Sequence, residues 1–410
     1  MTSRVHFFSV FFLLIFLTGQ ALMAQTDDAL QARADKLAQK ILITDTHVDF
    51  PYRLYAEKFQ LDDTHAQIPV SSEKGNFDYQ RAKQGGLDAP WMVAFIPSAY
   101  QSDLDKAKVF ADSLIDMVQW IIDRHPDKFA RGDSPSMVEK NTRKGLISFP
   151  LCLENGCPVK TLDDVSYFYI RGIRYITLTH AKDNHICDSS YDTARTWNGL
   201  SPFGIDMVKE MNRVGMIIDV SHISDSAFYQ VLKISTAPVM ATHSSCRKYT
   251  PGWERNMSDE MIVELAKHGG VIQINFGSSF LDSEINALRD SNQAQLKRLL
   301  FQLHLAPDDP ATKKITDRFN ADHPTPYSTV ERVADHIDHV KELVGVDYVG
   351  IGSDFDGVGD SLPTGLKDVS MYPNLIAELL KRGYTEAEIE KICSGNAWRV
   401  WNKVLEIAAQ

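Results

Sequence analysis

The sequence predicts an α/β fold, a TIM-type (β/α)8 barrel with an inserted helical and loop segment after strand seven, and three observations carry that reading. Short apolar runs recur along the 410 residues, segments of helical period separate them, and most of the runs end in His, Asp or Glu. Continuous apolar strands alternating with amphipathic helices mean a parallel sheet covered on its outer face, and eight such units close into a barrel. An open doubly wound sheet is the competing arrangement, but no Gly-x-Gly-x-x-Gly loop follows the first run.

The first four runs are "ILITDTH" from Ile41, "WMVAFIP" from Trp91, "GLISFPLCLE" from Gly145 and "RYITLTH" from Arg174. The second four are "GMIIDVSH" from Gly215, "PVMATHS" from Pro238, "GVIQINF" from Gly270 and "DYVGIGSDFDG" from Asp347. Between them, Phe203, Met207, Met211 and Val214 fall on one helical stripe, and Val330, Val333, Ile337, Val340 and Val344 on another. Gly215, Gly269 and Gly345 stand where these helices should stop and the next strand begin. Residues 281–327 exceed a minimal barrel: a helix around "NQAQLKRLLFQL" and the loop "DHPTPYST" read as a lid or rim over the barrel mouth. The chain ends in "TEAEIEKICSGNAWRVWNKV", a closing helix with a capping box at Thr385 and Glu388 that packs Ile389, Ile392 and Trp398.

Upstream, "FFSVFFLLIFL" from Phe7 follows Arg4 and is shorter than the ~20 residues that span a bilayer. It reads as a secretory signal, residues 1–24, cleaved after "ALMA", with residues 25–410 one catalytic domain in the periplasm or outside the cell. No cysteine follows the cleavage site, so no stable membrane anchor is expected. Five cysteines, an odd number, leave at least one thiol unpaired. A formal net charge of −11 argues against nucleic acid or an anionic membrane surface as partner and leaves a small molecule.

Barrel enzymes place their chemistry at the C-terminal ends of the strands. Those ends carry His47 and Asp49, Glu154, His180, His222, His243 and Asp354. Each alone is explained by capping a neighbouring carbonyl or helix; together they point to a barrel of the metal-dependent hydrolase kind. Histidine and carboxylate donors without cysteine favour zinc or a similar divalent ion. Three histidines and two carboxylates overfill one catalytic tetrahedral site, whereas a bridging carboxylate divides them between two ions ~3.5–4 Å apart with a hydroxide between them. His336 and His339, in "DHIDH", read as solvated residues on a helix face.

The motifs "HVD" at His47, "LCLENG" at Glu154, "YITLTH" at His180, "GLSPFG", "IDVSH" at His222, "THSS" at His243, "ERN" at Arg255 and "IGSDFDG" at Asp354 resemble, in order and over nearly the whole chain, the membrane (renal) dipeptidase family of the amidohydrolase superfamily, in a bacterial secreted form. The resemblance implies a dipeptidase with two zinc ions per chain. His47 and Asp49 would hold one ion, His222 and His243 the other, with Glu154 bridging. Asp354 would move the proton of the attacking water to the leaving amine, and His180 would polarise the scissile carbonyl. Arg255 would clamp the substrate's C-terminal carboxylate, with Arg247 or Lys248 as substitutes, because "HSSCRKYTPGWERN" is one residue longer than the family's usual spacing. Tyr52 stands where the family often has tryptophan and would line the pocket; Asn155 replaces the more usual glycine after Glu154. The implied substrate is a dipeptide with a free carboxylate, including a C-terminal D-residue, and a homodimer is left open. A related binuclear amidase or lactonase and a non-catalytic peptide-binding protein are the alternatives; Asp354 speaks against the last, since pure metal binding has little use for it.

Overall fold

The computed structural model describes residues 27–306 and 309–410; the leader expected at residues 1–24 lies outside them. Eight strands form one sheet in the order β1 (Ile43–Val48), β2 (Leu87–Phe95), β5 (Leu151–Glu154), β6 (Ile173–Thr177), β7 (Ile217–Asp219), β8 (Met240–Ser244), β9 (Val271–Ile274) and β10 (Val349–Ile351). Every neighbouring pair is parallel. The rim closes where β1 meets the segment after β10: Val48 bridges Phe355, Asp49 N–H donates to the Phe355 carbonyl at 2.8 Å, and Asp354 N–H donates to the His47 carbonyl at 3.1 Å. All eight expected strands are present, in a TIM-type barrel.

The third run differs in one respect. "GLISFPLCLE" breaks at Pro150, which has no N–H to donate, into β4 (Ile147–Phe149) and β5. β4 leaves the barrel and pairs with β3 (Phe129–Arg131) in a separate two-stranded parallel sheet.

Two apolar layers follow from the strand period of two. Inward residues Trp91, Val93, Cys152, Tyr175, Ile217, Met240 and Val271 fill the barrel, and Trp398, Val400, Trp401 and Val404 of the closing helix Asn396–Ala408 pack against them. Outward residues meet the helical shell, including Met207 and Met211 of Pro202–Val214 and Val333, Ile337 and Val340 of Val330–Val344. Gly215 ends the first of these helices at φ 85°, a left-handed turn that glycine adopts without strain. The Thr385–Glu388 capping box is formed in both directions. All five cysteines are free and buried.

After β9 come helices Ser283–Gln302 and Pro310–Asp322. The second is additional to the one helix expected there; Asp309 caps it by accepting from Ala311 N–H, and Pro310 starts it. Among the described residues no helix is long and apolar enough to cross a membrane.

His336 and His339 are buried rather than solvated. His336 accepts at Nδ1 from Cys246 N–H and donates from Nε2 to the Leu281 carbonyl, tying the loop after β8 to the start of the insertion. His339 lies 2.7 Å from Asp259 and 3.1 Å from Lys248 Nζ. Burial is compatible with these rings because each of their nitrogens has a hydrogen-bond partner.

Candidate metal centre

β1 delivers His47, with Asp49 directly after it, β5 ends at Glu154, and β8 presents His243 one residue before its end. His180, His222 and Asp354 stand three residues beyond β6, β7 and β10, on the loops. His222 and Asp354 turn back over the barrel with φ of 68° and 65°, the left-handed backbone that concentrates where a site dictates side-chain direction. Asn155 is also left-handed, φ 69°, which explains asparagine in a position that suits glycine; its amide donates to the Ile96 carbonyl.

Glu154 lies at the centre. Its Oε1 is 3.1 Å from both His222 Nε2 and His243 Nε2, and its Oε2 is 3.7 Å from His47 Nε2, which in turn is 3.3 Å from Asp49 Oδ2. His180 Nε2 is 4.0 Å from Glu154 Oε1, and its ring lies edge-on to Phe95. Asp354 joins His47 and Asp49 in a third group of converging donor atoms, and Asn275 Nδ2 donates to its Oδ2 at 2.7 Å. Gly357 leaves room here: a Cβ on it would fall 2.1 Å from Asp354 Oδ1 and 2.3 Å from Asp49 Oδ2.

The donor set fits divalent cations. Burial, reinforced by the charges of Asp49 and Asp354, pushes the Glu154 carboxyl well up; burial also raises Asp49 to about 7 and Asp354 to about 6. Burial likewise depresses the imidazoles, His180 to about 3, so none is suited to act as counter-cation. His47 Nε2 is buried without a hydrogen-bond partner, and His222 Nε2 faces His243 Nε2 at 2.8 Å. Carboxylates and neutral imidazoles crowded together, with ring nitrogens turned toward one another, are the environment that a hard to borderline cation satisfies.

Residues behind the donors fix their tautomers. The Tyr175 hydroxyl donates to the Thr46 carbonyl and so accepts from His47 Nδ1–H at 2.8 Å, which leaves the lone pair on Nε2. Thr242 Oγ1 donates to Asp219 Oδ2 and accepts from His243 Nδ1–H at 2.9 Å, with the same result. Asp219 is satisfied by Thr177 Oγ1, Thr242 Oγ1 and two backbone amides. Sequence reasoning missed Tyr175, Thr242 and Asp219; the signal was a carboxylate within the apolar run "IIDV" of a strand buried on both faces. Tyr175→Phe removes the acceptor for His47 Nδ1–H, and metal affinity is expected to fall about 10- to 100-fold. Chelator competition measures it, and an unchanged affinity would contradict the tautomer argument.

The donors open into a cavity of about 1240 Å³ lined by Asp49, Tyr52, Phe95, Glu154, His180, Tyr191, His222 and Asp354, with a wall from the insertion that includes Ile285, Arg289 and Asn292. Tyr52 is half-buried against Phe95, ring centres 4.8 Å apart. Arg255 is buried beneath this floor: Nη1 donates to Ser244 Oγ, and Nη2 donates to the His243 carbonyl and lies 3.0 Å from His222 Nε2. Arg247 is paired with Asp225, and Lys248 lies against His339; neither lines the cavity.

Residues 31–410 match the model of the membrane dipeptidase family, peptidase family M19. The dipeptidase verJ of Clonostachys rogersoniana is 34% identical over 399 residues, 94% of this chain and 90% of that one. The dipeptidase ataJ of Aspergillus terreus is 30% identical over 407 residues, 92% of this chain and 88% of its own. Among solved structures, the probable dipeptidase PvdM from Pseudomonas aeruginosa superposes with a TM-score of 0.78 at 26% identity, covering 93% of this chain and all of that one. A metallo peptidase from Rhodobacter sphaeroides, liganded with a phosphinate mimic of L-Ala-D-Ala, shares the fold with a TM-score of 0.71 at 22% identity, over 89% of this chain and 99% of that one. With the match running through every strand that carries a donor, the chain belongs to the membrane dipeptidase family, peptidase family M19.

Proposed function

We propose that this chain hydrolyses the peptide bond of dipeptides that carry a free C-terminal carboxylate, C-terminal D-residues included, with two zinc ions. One observation carries the reading: Glu154 places one oxygen between His222 and His243 and turns the other toward the His47–Asp49 pair. A single buried carboxylate between two donor pairs is the arrangement a bridging ligand requires. His47 and Asp49 would hold one ion, His222 and His243 the other, and Glu154 both. Bound there, the ions supply an acidified water as nucleophile and Lewis-acid polarisation of the carbonyl.

The remaining steps belong to the chain. Asp354, poised by the Asn275 amide, takes the proton of the attacking water and returns it to the leaving nitrogen. His180, kept neutral by burial, donates one hydrogen bond to the developing oxyanion. Arg255, whose Nε–H is buried without a partner, clamps the substrate's C-terminal carboxylate, and Tyr52 with Phe95 lines the pocket. Residues 25–410 act as one catalytic domain, secreted or periplasmic after loss of residues 1–24.

The test is a panel of dipeptides with L and D C-terminal residues, run with metal analysis of the same sample. About two equivalents of zinc per chain and cleavage that depends on the free carboxylate are expected. One equivalent or none at full activity sinks the two-ion reading. Turnover of lactones or other amides in place of every dipeptide transfers the site to a sister reaction on the same scaffold.

A further inference from the structure

The motif "IGSDFDG" holds a second aspartate, Asp356, that the metal chemistry leaves unused. Its side chain is fully buried, and Oδ2 lies 3.1 Å from Nε of the buried Arg53. A carboxylate and a guanidinium are costly to bring out of water together, so what the pair joins matters. Arg53 belongs to the helix Phe50–Ala56, which Asp49 caps, and its N–H donates to the Asp49 carbonyl at 2.9 Å. Asp356 stands two residues beyond Asp354, and both have left-handed backbone, φ 67° and 65°. The pair therefore links the segment that carries a metal donor to the segment that carries the carboxylate assigned to proton transfer.

Those two segments need a link. Asp49 and Asp354 bring donor oxygens within 4.8 Å of each other, in a space that the absent side chain of Gly357 leaves open. Two carboxylates in a buried site repel, and the rim contacts, Asp49 N–H to Phe355 and Asp354 N–H to His47, fix main chain alone. A third segment, residues 74–77, braces the junction. Asn76 N–H donates to Asp356 Oδ1, Asp356 N–H donates to Asn76 Oδ1 at 2.9 Å, and Asn76 Nδ2 donates to the Lys367 carbonyl. Arg53 donates from Nη1 to the Lys74 carbonyl and from Nη2 to the Phe77 carbonyl, and its guanidinium lies 5.1 Å from the centre of the Phe50 ring. Gly75 lets this backbone rest on the guanidinium, since a Cβ there would fall 2.4 Å from Arg53 Cζ. Each end of the ion pair is held by contacts of its own, so the pair acts as a strut between two fixed ends.

We infer that Asp356, through Arg53 and Asn76, is a positioning residue that holds the Asp354 turn against the Asp49 helix and so sets where the proton-accepting carboxylate stands beside the metal centre. The inference rests on the dipeptidase reading and on the proton role of Asp354. It adds to them a buried ion pair, neither member of which is among the converging donors.

The experiment uses the zinc-loaded full chain. Asp356→Asn keeps an oxygen for Asn76 N–H and tolerates the left-handed backbone, but it breaks the ion pair. For a dipeptide, kcat should fall about 10- to 100-fold, the cost of a small misplacement of a reacting group, with KM within about threefold of wild type. Arg53→Met should do the same and Arg53→Lys should recover part of the loss, which carries the test if the Asp356 variant fails to fold. The deciding readout is the cycle with Asp354→Asn: in that background Asp356→Asn should cost less than about twofold, because the carboxylate it positions is gone. An equal cost in both backgrounds overturns the inference, and so does a loss carried by KM. If the wild type cleaves no dipeptide, or if Asp354→Asn turns over as wild type does, the reading beneath the inference fails, and crystal structures of the zinc-loaded wild type and of Asp356→Asn or Arg53→Met decide the strut. The Asp354 carboxylate is expected about 1 Å farther from Asp49 in the variant. An unmoved carboxylate overturns the inference there as well.

Discussion

Glu154→Gln is expected to lose the second metal equivalent outright, to weaken the first, and to lower kcat/KM by about 10³-fold or more. The magnitude follows from removing several kcal/mol of transition-state stabilisation at ~1.4 kcal/mol per decade. The same substitution has the opposite effect on the metal-free protein. There, Glu154 is buried beside Asp49 and Asp354, and burial with like charge holds its carboxyl well above the ordinary range. A neutral amide of the same size relieves that repulsion and still has hydrogen-bonding capacity. Thermal unfolding should therefore show Glu154→Gln at or above wild type in chelator and below wild type in zinc, where the wild type gains stability by binding in proportion to the logarithm of free metal. A variant that is less stable than wild type in both conditions would mean that Glu154 serves packing rather than metal.

The barrel was readable because each strand is buried on both faces and so appears as an apolar run, and because barrel chemistry gathers at one end of those runs. The same logic sets the limit of that reading. His180, His222 and Asp354 seemed to end strands, since "LTH", "VSH" and "GSD" continue the runs, but the hydrogen-bonded ladder stops three residues earlier and positive φ at two of them turns the side chains inward. His336 was misread as solvated although it falls between Val333 and Val340 on the buried stripe of its own helix. Reading "DHIDH" from its polar composition alone concealed what the period of 3.6 already indicated. Tyr175, Thr242 and Asp219 act through other residues across the sheet, so only tertiary structure shows which histidine nitrogen each controls.

Asp354→Asn separates chemistry from coordination. Asparagine tolerates left-handed backbone nearly as well as any residue with a Cβ, so the φ of 65° at this position is preserved where alanine would be strained. Its side-chain oxygen can still accept from Asn275 Nδ2, so the side chain keeps its place. What it loses is the ability to accept a proton from water and return it to the departing amine. General acid–base catalysis of this kind contributes about 10²- to 10⁴-fold, and kcat should fall by that factor with KM and zinc content close to wild type. Asp354 also shares a group of converging donors with His47 and Asp49, so a ligand role makes a distinct forecast: Asp354→Asn would then lose an equivalent of metal together with activity. Retained zinc with lost turnover assigns Asp354 to proton transfer, lost zinc assigns it to the His47 ion, and turnover within about tenfold of wild type rules out both roles.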